Sequence, residues 1–168
     1  GNGLHEYHVP LASGAFRAGA LAVQNLVATA ESKSAPAVQV KDASAPGVLI
    51  LRMPSSYVYL GGEVALTPAV APGGSIEVQW SANNGLDWKP LATITQAGEQ
   101  RIDLTPHVFR RYDYRLKFVL HGKGTGLDAL HITHPVQHSQ RPLPALAAGE
   151  NKITLSADNV GTVTVEGS

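Results

Sequence analysis

The stretch "YDYRLKFVLHG", Tyr112 to Gly122, decides the fold. Tyr112, Tyr114, Leu116, Phe118 and Leu120 alternate with Asp113, Arg115, Lys117, Val119 and His121. Successive side chains of an extended strand point to opposite faces, so this segment buries one side and wets the other. "SIEVQW" behaves alike, with Ile76, Val78 and Trp80 on one face and Glu77 and Gln79 on the other. "NKITLSA" and "GTVTVEG" repeat the pattern further on. Antiparallel sheets with one covered face read this way, whereas buried parallel sheets read as continuous apolar runs. The segments are separated by "PGG", "NNG", "GKGTG" and "DNVG", which suit tight turns. The pattern predicts eight to ten strands, near 48–53, 57–60, 63–68, 75–81, 88–95, 99–104, 113–121, 127–133, 151–156 and 161–166. The expectation is an all-β, antiparallel two-sheet β-sandwich of jelly-roll or Ig-like type over residues 47–168.

Residues 1–46 read differently. "FRAGALAVQNLVATA" places Phe16, Ala20, Val23 and Val27 at helical spacing, which predicts one short helix docked on the sandwich. "ESKSAPAVQVKDASAPG" is rich in Ala, Ser and Pro and reads as an extended strap or linker. The opening "GNGLHEY" reads as the interior of a longer chain.

Composition narrows the function classes. Lys and Arg total 13, as do Asp and Glu, so no net basic charge points to nucleic acid or an anionic membrane. Cysteine is absent, which removes disulfides, thiolate metal sites and a Cys nucleophile. No apolar run approaches 18 residues, so no membrane-spanning helix is expected.

In "SANNGLDWKPL", Asn83, Asn84 and Gly85 suit the positive φ of a hairpin turn. Ser81 and Asn83 can bond back to nearby amides, and Trp88 can lay its ring across the turn. Ser81, Asn83, Gly85 and Trp88 stand in the register of the Asp-box, Ser-x-Asp-x-Gly-x-x-Trp, and the stretch resembles it. Asn83 replaces the usual Asp, which puts any role of that carboxylate in doubt. In sialidases the box recurs once per propeller blade, away from the active site. Here it occurs once, and the reading is a structural hairpin.

A wider resemblance covers about residues 47–168. "VQWSANNGLDWKPL", "QRIDLTPHVFRRYDYRLKFVL" and "GLDALHITHPVQHSQRPLPALAAGENKITLSA", in that order, resemble accessory β-sandwich modules of large secreted bacterial proteins. Such modules are often joined to polysaccharide-degrading or protease-like domains. The resemblance implies an extracellular or periplasmic, noncatalytic module with carbohydrate as a candidate ligand, and it carries over no defined binding residue.

Catalytic and cofactor motifs do not assemble. His131, His134 and His138 cluster in "HITHPVQHSQRP", but His131 and His134 are three apart and point oppositely on a strand. Pro135 is expected to break that strand, and no acid in the segment completes a metal site. "HGKGTGLD" looks like a phosphate loop, yet Gly124 follows Lys123 where Ser or Thr is needed, and a strand pattern follows rather than a helix. No nucleophile elbow occurs, and the 13 acids show no pairing that marks a glycosidase. The expectation is a nonenzyme without metal or cofactor.

Carbohydrate binding needs ring faces beside planar hydrogen-bonding groups. Tyr57 and Tyr59, two apart on one strand face, Trp88, and the loop residues Gln137, His138 and Arg141 are the candidates. The blander reading of the tyrosine pair is cross-strand packing. Arg110, Arg111, Arg115 and Lys117 form a basic cluster, read as a solvated face or as a docking surface for an acidic neighbour or polysaccharide. Two functions follow. One is an accessory module that binds polysaccharide. The other is a scaffold that packs against sister domains or copies of itself.

Overall fold

The structure is a computed structural model that describes residues 2–137, 151–157 and 160–167. Its strands are β1 (Asn2–His8), β2 (Ala22–Gln24), β3 (Leu26–Ala28), β4 (Val38–Val40), β5 (Gly47–Arg52), β6 (Val58–Tyr59) and β7 (Glu63–Ala69). They continue as β8 (Ser75–Ser81), β9 (Lys89–Ile94), β10 (Gln100–Asp103), β11 (Arg115–His121), β12 (Gly126–Gln137), β13 (Asn151–Ala157) and β14 (Val160–Gly167). Among the described residues, three four-residue helices accompany them: α1 (Phe16–Gly19), α2 (Thr29–Ser32) and α3 (Thr105–Val108).

The alternating segment 115–121 becomes the centre of the smaller sheet, ordered β2-β5-β11-β8-β9. Phe118 lies opposite Leu49 and Val78, and Leu116 opposite Leu51 and Trp80. The larger sheet runs β10-β7-β12-β1-β13-β14, with β4 and β6 also paired to β12 and β3 paired to β4. The pairings are antiparallel throughout. The protein is an all-β, two-sheet antiparallel sandwich, and each of the ten strands expected beyond residue 47 is present.

Leu49, Leu51, Ile76, Val78, Leu116, Phe118 and Leu120 fill the core from the smaller sheet. Tyr7, Val64, Leu66, Leu130, Ile132 and Val136 meet them from the larger one. Each such side chain contributes roughly 1.5–3 kcal/mol relative to exposure.

Three expectations need correction. The helix predicted from Phe16 onward stops at Gly19. Val23 and Val27, β-branched and suited to pleated backbone, enter β2 and β3 instead. Asn25 turns the chain between them at φ 54°. Its amide donates to the Asp42 and Ala45 carbonyls at 2.7 and 2.8 Å.

Second, part of the stretch read as a strap or linker enters a sheet, since Val38–Val40 forms β4 against β12 and β3, and residues 2–8 ahead of it form a strand outside the expected set. β1 runs between β12 and β13, with Tyr7 opposite both Ile132 and Asn151.

Third, Pro135 does not break its strand, because β12 continues to Gln137. The Pro135 carbonyl accepts from Leu60 N–H at 2.8 Å, on the side where β7 has ended at Glu63 and β6 has not yet paired. The proline nitrogen faces that same gap, where no ladder donor is required.

Candidate functional site

One end of the sandwich gathers the loops that matter. Ser81, at the end of β8, and Arg52, at the end of β5, both lie opposite Arg115, the start of β11. Residues 82–88 and 53–57 therefore emerge at this end. Asp103, the end of β10, pairs with Glu63 in the larger sheet. Residues 104–114 must then cross from one sheet to the other at the same end, through α3.

The 82–88 hairpin holds itself with side chains. Ser81 Oγ accepts from Gly85 N–H at 2.8 Å and from Asn83 N–H at 3.3 Å. Asn83 Oδ1 accepts from Asp87 N–H at 2.9 Å, and its Nδ2 donates to the Asp87 carboxylate at 2.7 Å. Positive φ falls on Asn84 (62°) and Gly85 (82°). Leu86 stands at the tip, 84% exposed. Half-buried Trp88 packs beside Gly85, with the Lys117 ammonium 4.3 Å from its ring centroid. Arg115 donates to the Asn84 carbonyl at 2.6 Å and steadies the turn from β11.

The crossing segment displays a second set. Arg110 takes φ 64°, and its N–H donates to the Tyr59 carbonyl at 2.8 Å. The Arg111 carbonyl accepts from Tyr59 N–H, and the Tyr112 carbonyl from Ser55 N–H. This backbone holds Phe109 and Tyr112 outward, 50% and 55% exposed. The Arg110 guanidinium lies 5.3 Å from the Phe109 ring centroid, and that of Arg111 lies 5.4 Å from the Trp80 centroid. The Lys89 ammonium, 5.9 Å away, also flanks Trp80. Trp80 itself is buried, and its indole nitrogen has no hydrogen-bond partner among the described residues.

The charges at this end are unbalanced. Arg17, Arg52 and Arg101 each pair with a carboxylate. Among the described residues, Lys89, Arg110, Arg111, Arg115 and Lys117 form no ion pair. Asp113 is engaged by Arg52 at 2.8 Å, and Asp87 by Asn83.

Tyr57 and Tyr59 cannot form the expected aromatic platform. Both rings lie in the core, with Tyr59 fully buried and its hydroxyl donating to the Met53 carbonyl at 2.9 Å. The short β6 turns that face toward the other sheet. Gln137 is exposed at the end of β12, opposite Asn2 and Val58. His138 and Arg141 lie outside the described residues. Phe109 and Tyr112 were missed as candidates. Their signal was the pair of arginines between two aromatics in "FRRY". The alternation of 112–120 had instead suggested that Tyr112 was core.

His131 and His134 do face oppositely. His131 lies on the outer face, its ring stacked 3.8 Å from His8. His134 is buried, its ring 4.2 Å from that of Tyr59. Tyr114 hydrogen-bonds His134 Nε2, His134 Nδ1 lies 3.4 Å from His5 Nδ1, and His5 Nε2 lies 3.0 Å from Asn151 Oδ1. An Asn Oδ1 only accepts, so His5 Nε2 carries a proton there and its Nδ1 accepts. His134 must then donate at Nδ1 and accept from the Tyr114 hydroxyl at Nε2. This one-way chain satisfies both rings as neutral imidazoles. Burial holds both histidines below the ordinary range, His134 most strongly, and pushes the Tyr59 and Tyr114 hydroxyls up. Gly62 leaves room for the column, since a Cβ there would lie 2.9 Å from His134 and 3.1 Å from Leu104.

Among the described residues, no three His, Cys, Asp or Glu side chains are placed to hold a metal ion. Among the described residues, no helix is long and apolar enough to cross a membrane. An open depression on another side is lined by Arg17, Leu21, Asn25 and Glu31, but Glu31 and the Leu26 carbonyl occupy the Arg17 guanidinium. No family model matches the chain, and no curated protein matches it in sequence.

Proposed function

We propose that the chain is a noncatalytic module of a larger extracellular or periplasmic protein and that it holds carbohydrate at the loop end. The observation that carries this reading is the exposed Phe109 ring, 5.3 Å from the Arg110 guanidinium, with exposed Tyr112 three positions on and, among the described residues, no carboxylate partner for Arg110 or Arg111. Sugar C–H faces stack on such rings, and planar donors read hydroxyls. The concentration of imidazole and phenol groups around His134 is sealed in the core, where no substrate reaches it. Affinity electrophoresis through gels containing dissolved polysaccharides tests the proposal. Retardation by at least one polysaccharide, reduced in Tyr112→Ala, is expected. Unchanged migration in every gel contradicts it.

A second reading, packing against a sister domain or another copy, is favoured by Leu86 at the hairpin tip. At 84% exposed it is the kind of apolar side chain that a partner covers. Sedimentation equilibrium separates the two: self-association abolished by Leu86→Lys supports the scaffold, and a monomer at every concentration removes the copy-to-copy version.

A further inference from the structure

Resting on that glycan reading, we infer that the loop end selects anionic carbohydrate, chains bearing carboxylate or sulfate, over neutral ones. The molecule has 13 basic and 13 acidic residues, so a surface with several unpaired cations is a local choice and not an overall bias. Of the acids nearest in sequence, Asp113 is paired with Arg52, while Asp87 is bonded by the neutral Asn83 amide, which cancels no charge: one carboxylate against five cations without an ion pair among the described residues.

The two arginines are held in place before any ligand arrives. Arg110 sits in the left-handed region, which costs a non-glycine residue energy and persists only where its surroundings impose it. Here the imposing bonds are Arg110 N–H to the Tyr59 carbonyl and Tyr59 N–H to the Arg111 carbonyl. Each guanidinium lies beside an aromatic ring, Phe109 or Trp80. Exposed Arg111 donates its Nε–H to the His107 carbonyl at 2.9 Å, and its two terminal amino groups have no hydrogen-bond partner among the described residues. A planar fork with free terminal donors matches carboxylate or sulfate oxygens bidentately. Prior ordering lowers the entropy lost on binding. The Trp80 ring flanked by Arg111 and Lys89 is itself buried, and its N–H has no acceptor among the described residues.

A sugar fits better than an acidic peptide. Extended peptides are held by main-chain hydrogen bonds along an open edge. The 109–112 backbone spends its groups internally, on Thr105, Tyr59, Val108 and Ser55. Three of its four N–H groups and the Arg111 and Tyr112 carbonyls are taken, so no continuous main-chain ladder is open to a peptide, and ring faces and side-chain cations dominate what a ligand meets.

Isothermal titration of the whole chain with hexagalacturonate, cellohexaose and hexaglutamate tests this. A sulfated hexasaccharide run in parallel separates sulfate from carboxylate as the preferred anion. Hexagalacturonate or the sulfated chain is expected to bind at least about tenfold more tightly than cellohexaose, and less tightly at about 0.2 M salt than at low salt. Arg110→Gly removes the guanidinium while suiting the positive φ, so the fold survives and binding falls by about tenfold or more. Arg111→Lys keeps the charge, loses the fork and weakens binding similarly. Lys123→Gln, in a turn at the opposite end, leaves affinity unchanged. Cellohexaose bound as tightly as the anionic sugars overturns this inference and leaves the glycan reading standing. Hexaglutamate bound as tightly as the anionic sugars overturns the choice of sugar over peptide. Binding of no sugar at all overturns both readings.

Discussion

Asn83 accepts at Oδ1 and donates at Nδ2 within one turn, and an aspartate there has no donor for the Asp87 carboxylate. Asn83→Asp therefore loses a hydrogen bond and sets two carboxylates side by side. About 1 kcal/mol of destabilisation is expected, read as a lower urea midpoint. An unchanged midpoint at neutral pH contradicts this account of the hairpin. In the core, Tyr114→Phe leaves the buried His134 Nε2 without its donor and costs about 1–3 kcal/mol in the same measurement. The histidine column also predicts a pH dependence. Burial lowers the affinity of His134 and His5 for protons in the folded chain, while unfolded histidines protonate near pH 6.5. Below that pH the unfolded state holds more protons than the folded one, so stability falls as the solution is acidified. Above it both states are neutral and this contribution is complete. Urea midpoints at about pH 7.5 and about pH 5.5 check the sign, with the lower midpoint expected in acid. His134→Gln should flatten the difference.

At the scale of the element, what the sequence disclosed depended on who the inward neighbours are. β8 and β11 read clearly because their inward residues are apolar and their outward ones, Val119 excepted, are polar. β1, "NGLHEYH", did not, because one of its inward side chains is His5. Its polar partners, His134 and Asn151, are 129 and 146 positions away and invisible in a local window. Tyr57 and Tyr59 showed the correct alternation, but alternation does not say which face is covered. Tyr112 continued the rhythm of β11 by three residues beyond its true start at Arg115. Of the candidate site, the cationic run was visible in sequence, whereas the exposure of Phe109 and Tyr112 required the crossing from β10 to β11. β1 lies between two partners, so removing residues 2–8 strips β12 and β13 of their shared neighbour. That truncation is expected to abolish the cooperative thermal transition followed by circular dichroism. A truncated chain that still melts in one sharp step shows that β1 only decorates the sheet.

For the molecule as a whole, two sheets close over one core, and a single end carries several unpaired cations and three exposed apolar side chains, Leu86, Phe109 and Tyr112. Elsewhere among the described residues Arg17 and Arg101 are paired with acids, the cations without an ion pair are Lys33, Lys41, Lys123 and Lys152, and Leu21 is the exposed large apolar side chain. The clustering of rings and cations at one end is why the proposed function is placed there. Backbone amide shifts followed by two-dimensional NMR during titration with hexagalacturonate test the assignment most directly. Shifts concentrated in residues 82–89 and 105–115 are predicted; shifts confined to the Arg17 depression or to the outer face around His131, or no shifts at all, contradict it.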